Sequence, residues 1–136
     1  MEKEKGFSLI EVMLAIALLG IVAVAFLGAL ATGSRAIIIA DERATAESLA
    51  RSQMEYVKNQ PYILGATEYD IDPNLTLPDG YAVEIMAEPI DPVTGEALVN
   101  PSDDKGIQKI TITVEHLGRP IITSGNYTLE DYKVNR

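Results

Sequence analysis

The sequence predicts an α+β chain: one long N-terminal helix over about residues 7–60, its second half packed on a small antiparallel β-sheet of three to four strands. Three observations carry this expectation. A nearly unbroken apolar run lies close to the N-terminus, no proline occurs between Phe7 and Gln60, and helical periodicity gives way after Pro61 to short alternating runs. The 136 residues leave room, beyond a membrane segment, for one water-exposed domain of about 75 residues. A large buried active site is therefore not expected.

The first element is unusual in its order. A secretory signal places its cleavage site beyond the apolar stretch. Here the polar, charge-balanced Met1–Lys5 ends at Gly6, and the apolar tract starts at once with Phe7, Ser8, Leu9 and Ile10. A cut after Gly6 would leave that tract on the mature protein. From Val12 to Gly33 the only polar side chain is Thr32, and as a helix the stretch would span roughly 33 Å, enough to cross a bilayer. Glu11 sits just inside this run, where a buried carboxylate needs a partner or a proton. Taken alone, Glu11 also fits an ordinary anchor, lying at headgroup level with Lys3 and Lys5 on the cytoplasmic side.

The helix is expected to continue through RAIIIADERATAESLARSQMEYVKNQ, which is rich in helix formers. Ile39, Ala46, Leu49, Ala50, Gln53 and Val57 approximate one stripe for burial, with Asp41, Arg51, Glu55 and Lys58 elsewhere. Glu47–Arg51 and Arg51–Glu55 are spaced for weak i,i+4 pairing. Gly20, Gly28 and Gly33 each weaken a helix by roughly 1 kcal/mol relative to alanine and mark candidate bends. Pro61 ends the helix, because the residue before a proline avoids helical geometry.

In the remainder, Ile107–Glu115 alternates strictly and predicts a strand with one buried face. A turn at Leu117–Pro120 leads to a second run, Ile121–Leu129, expected to form a hairpin with it, and YAVEIMA (81–87) supplies a third strand. Residues 90–105, with two prolines and Asp91, Asp103 and Asp104, read as a solvated acidic loop, since their spacing matches no calcium-ligand pattern. His116 reads as an ordinary surface residue, and the glycosylation triplets at Asn74 and Asn126 are weak signals.

The net charge of -9 comes almost entirely from residues beyond Ala40, which disfavours binding to nucleic acids or anionic lipid. With no cysteine, disulfides and thiolate metal sites are excluded. No nucleophile elbow, phosphate loop or metal-binding triad can be read, so no catalytic residue, metal or cofactor is expected.

The segment KGFSLIEVMLAIALLGIVA resembles the cleavage and methylation signature of type IV prepilins and type II secretion pseudopilins. The stretch AESLARSQMEYVK is similar to the corresponding helix of pilus-modification minor pilins and I-type pseudopilins. The resemblance implies cleavage between Gly6 and Phe7 by a prepilin peptidase, N-methylation of Phe7, and pairing of Glu11 with the N-terminal ammonium of a neighbouring subunit. It also implies helix flexibility around Gly20 and Gly28, although many similar pilins carry a proline where Gly28 stands. The implied organisation is a leader (1–6), a transmembrane and filament-core half of the helix (7–33), an amphipathic half (34–60) and a β-rich head (61–136). The implied partners are other pilin subunits, the peptidase and methylase, and an assembly platform with its ATPase. The implied location is a single-pass inner-membrane protein with its head outside the cytoplasm, then a cell-surface or periplasmic filament. Two alternatives stay open: a major pilin, or an unprocessed membrane-anchored binding domain.

Overall fold

The computed structural model describes residues 8–117 and 126–136. Helix α1 runs from Leu9 to Asn59. The Ser8 carbonyl accepts the Glu11 and Val12 N–H groups at 3.0 and 3.2 Å, starting the first turn. Glu11 in that turn and Lys58 in the last both complement the helix dipole. At the other end Gln60 N–H is shared between the carbonyls of Tyr56 and Val57, and Pro61 stops the ladder. The helix is uninterrupted at Gly20, Gly28 and Gly33. The chain forms two compact units, one reaching to Ile38 and one from Ile39 to Arg136.

In the second unit, strands β1 (Tyr81–Pro89), β2 (Ile107–His116) and β3 (Asn126–Val134) form an antiparallel sheet in that order. The result is an α+β, pilin-like fold, with α1 packed against three strands. The β1–β2 register places Ile85 opposite Ile112 and Val83 opposite Val114. Alternate residues of β2 therefore face one side, where Gln108, Ile110, Ile112 and Val114 are fully buried. Against them lie Ala46, Leu49, Ala50, Met54 and Val57 of α1, together with Tyr69. The two alanines let the helix approach the sheet closely, and each buried Ile or Val contributes about 1.5–3 kcal/mol.

Several expectations need correction. Ile39 is 45% exposed, whereas Met54, left out of the expected stripe, is buried. The last strand is Asn126–Val134 where the pattern suggested Ile121–Leu129: residues 121–125 lie outside the described residues, and the strand continues past Leu129. Its inward-facing Asp131 and Lys133 concealed it, because a charged residue at every second position hides a buried face. Of the expected turn at 117–120, Leu117 is a turn residue and the rest lies outside the described residues. Arg51 binds Glu47 at 2.7 Å, and no ion pair joins it to Glu55. His116 is no plain surface residue: its ring packs edge-on against Tyr81 at 4.7 Å, and its Nδ1 is buried with no hydrogen-bond partner among the described residues.

Residues 90–105 also differ from a solvated loop. Ile90 bridges to Ala97, and Pro101–Asp103 form a 3-10 turn capped by the Asn100 side chain. Asp104 is buried and accepts hydrogen bonds from Tyr62 Oη at 2.8 Å, Gly106 N–H at 2.8 Å, Gly65 N–H at 2.9 Å and Gln108 Nε2 at 2.7 Å. Burial alone would raise its pKa, but the bonds from Gly65, Gly106, Tyr62 and Gln108 outweigh it and hold the carboxyl below its ordinary value. Tyr62 moves the opposite way, raised by burial and by its bond to Asp104. Gln108 also accepts from Tyr69 Oη at 2.8 Å and donates to the Ile63 carbonyl at 2.8 Å. The segment after α1 is thereby tied to the start of β2. Gly65 makes this possible: its φ is +69°, and a Cβ there would lie 2.8 Å from the Pro101 carbonyl oxygen.

β3 closes the head onto the helix end. Lys133 Nζ donates to the carbonyls of Val57 at 2.5 Å, Gln60 at 2.7 Å and Lys58 at 3.3 Å, adding to the Gln60 N–H already on Val57 and supplying a donor at the end of the helix. Burial lowers the pKa of Lys133, while the carbonyls and the Tyr69 ring face, 5.1 Å away, favour the ammonium. Asp131 adds a salt bridge to Lys58 and also accepts from the Tyr132 N–H, so an inward charge shields part of this edge strand.

Candidate functional site

Of the residues singled out near the N-terminus, Gly6 and Phe7 lie outside the described residues. Glu11 lies in the first turn of α1 and, with Val12, Ala15, Ile16 and Leu19, lines one shallow, otherwise apolar recess. Its carboxylate makes no ion pair or hydrogen bond with any other described residue. The surrounding side chains are bare as well: Leu9 is 80% and Leu19 68% exposed, and the apolar residues through Leu30 share this exposure. A surface of this kind needs lipid or another protein against it. Helix α1 is long and apolar enough to cross a membrane.

Gly20 and Gly28 have open space where a Cβ would stand. Thr32 Oγ1 donates to the Gly28 carbonyl at 3.0 Å, a local bond that competes with helix geometry. Among the described residues no group of three or more His, Asp or Glu side chains could hold a metal ion. Asp91 is engaged by Lys105 at 2.6 Å and by the Val93 N–H at 2.7 Å, and Asp104 by the donors described above. Gln53 is buried, as its place in the expected stripe required, whereas sequence reasoning missed Asp104, Gln108 and Lys133 as buried polar residues; the available signal was polar residues on an otherwise apolar strand face.

The chain thus joins a bare apolar helix, with one carboxylate in its first turn, to a small pilin-like head. Residues 1–27 match the family model described as a prokaryotic N-terminal methylation motif. That match makes the N-terminal segment type IV pilin-like, and the apolar helix is compatible with a single-pass membrane anchor. No curated protein and no solved structure matches the chain.

Proposed function

We propose that the chain is a structural subunit of a type IV pilus or type II secretion-like filament, of the minor pilin or pseudopilin kind. The observation that carries this reading is the methylation motif over residues 1–27, with Glu11 four residues beyond Phe7. A prepilin peptidase cuts after Gly6, and Phe7 becomes the N-methylated chain end. The leader is 1–6, the membrane and filament-core half of the helix 7–33, the amphipathic half 34–60 and the head 61–136. The subunit waits in the inner membrane with its head outside the cytoplasm. A platform protein and its ATPase then move it into a fibre, where helix contacts replace lipid. The chain performs no chemistry and is the substrate of the processing enzymes.

Glu11 supplies the selectivity of assembly in this reading. A carboxylate in an apolar bundle is strongly penalised alone and strongly attracted to an opposite charge, and the Phe7 ammonium of an adjacent subunit is that charge. The likeness of AESLARSQMEYVK to minor pilins and I-type pseudopilins favours a scarce subunit over a major one. N-terminal sequencing with mass spectrometry of the chain from its native membrane tests the proposal. A methylated Phe7 start is expected, and a chain that still begins at Met1 would instead indicate an unprocessed anchor. Scarcity relative to other subunits in sheared filaments tests the minor assignment.

A further inference from the structure

In the first unit a single charge follows Glu11, and it stands at the far end of the apolar surface. Between Glu11 and Arg35 the only polar side chains are Thr32 and Ser34, and bare apolar groups flank the arginine, Leu30 being 55% and Ile37 71% exposed. Arg35 is itself exposed and makes no ion pair or hydrogen bond with any other described residue. Its own helix offers no partner. The positions one turn away are Ala31, Thr32, Ile38 and Ile39, and the nearest carboxylate, Asp41, lies six residues on and about 120° round the helix.

We infer that Arg35 binds the phosphate of a membrane lipid and so fixes how deep the apolar helix sits. The inference rests on the membrane reading proposed above and adds the ligand at one end of the span. Glu11 and Arg35 are 24 residues apart. Along a helix that is about 36 Å upright and about 34 Å at a tilt of 20°. The hydrocarbon core is about 30 Å thick, and each headgroup layer adds about 5–7 Å. A centred helix therefore puts Glu11 in one headgroup layer and Arg35 in the other, with no charge in the hydrocarbon between them. The Cα–Cβ bond of a helical residue tilts toward the N-terminus, so the stem of Arg35 leads back over the turn of Ala31 and Thr32, toward the phosphates and away from bulk water. A guanidinium at that level can give two parallel hydrogen bonds to one phosphate. What is recognised is the phosphate itself, which zwitterionic lipids also carry, so the acidity of the chain beyond Ala40 does not oppose the contact. Sinking the helix would draw this cation into hydrocarbon, and raising it would bare Leu30 and its apolar neighbours to water. The two costs act in opposite directions and hold the depth between them.

Solid-state magnetic resonance tests the contact directly. The full-length chain, isotope-labelled at the guanidinium carbons of its arginines, is placed in phosphatidylcholine bilayers, and recoupling to lipid phosphorus is measured. The wild type is expected to show dephasing, and Arg35→Gln to lose most of it, because the next arginine, Arg43, lies about 12 Å further along the helix. The absence of cysteine gives a second readout. Ile38→Cys should react several-fold more slowly with a membrane-impermeant maleimide when Arg35→Leu is added, since nothing then stops the apolar helix from sinking. The inference is overturned if Arg35→Gln dephases like the wild type, or if Arg35→Leu leaves the labelling of Ile38→Cys unchanged. Val22→Cys, near the middle of the span, separates this result from the membrane reading. If it is protected from the maleimide while either of those outcomes is found, only the role of Arg35 fails. If it is labelled as fast as Ile38→Cys, the span is refuted and the phosphate contact falls with it.

Discussion

Asp104 provides the sharpest test of how the head is held together. It is the acceptor for three donors that cannot readily turn to water: Gln108 Nε2, in a fully buried side chain, and the backbone N–H groups of Gly65 and Gly106. At about 1 kcal/mol for each donor left without a partner, Asp104→Ala should cost about 3 kcal/mol. In a domain of this size that lowers the melting temperature by roughly 10–20 °C. Asp104→Asn should be no milder repair. Both carboxylate oxygens accept from N–H donors, so either orientation of the amide sets its NH2 against one of them.

The assay is near-ultraviolet circular dichroism of the detergent-solubilised full chain, with Tyr62 and Tyr69 as reporters inside the network. The pH dependence has a definite sign. The folded pKa of Asp104 is depressed, so its contribution is complete above the unfolded value of about 3.9 and is lost as pH falls through the lower folded value. The stability gap between wild type and Asp104→Asn should therefore narrow as pH is lowered from about 5 to about 3. An Asp104→Ala melting shift under about 4 °C, or a gap that widens on acidification, would refute the reasoning.

Other outcomes follow from the same contacts. Lys133→Met keeps much of the stem packing but removes the ammonium from the carbonyls of Val57, Lys58 and Gln60, leaving Val57 with the Gln60 N–H; thermal unfolding should show a loss of about 2 kcal/mol, with fraying of the last helical turn visible in amide exchange. Gly65→Ala forces a Cβ onto the Pro101 carbonyl at a left-handed position and should cost about 1–3 kcal/mol by denaturant titration, whereas alanine at Gly20 meets open space and should leave the head's stability unchanged. Glu11→Ala should leave membrane insertion intact but sharply reduce recovery of the chain in sheared filaments; undiminished incorporation would remove the charge-pair role proposed for Glu11.

What could be read from the sequence differs between the two units for a physical reason. A surface that meets lipid or neighbouring helices needs only length, apolar character and the right spacing of a few special residues, and all three are properties of order along the chain. The apolar tract, the placement of Glu11 just inside it and the stop at Pro61 are therefore visible in one dimension. So are β1 and β2, since Ile110, Ile112 and Val114 alternate and their shared face is apolar. β3 was displaced in the reading because two of its inward positions are Asp131 and Lys133. These are tolerated there only because folding brings Lys58 and the open carbonyls at the helix end to meet them.

The acidic loop was misread for a related reason. Asp104 looks like any solvated aspartate until Tyr62 and Gly65, 42 and 39 residues earlier in the chain, join the nearby Gln108 on it. The sequence by itself determined the long apolar helix, its end at Pro61 and the two strands whose inner faces are apolar, because hydrophobic patterning acts locally and additively. Only the tertiary structure decided which polar side chains lie inside, since a buried charge is stable only where partners from other parts of the chain are delivered to it.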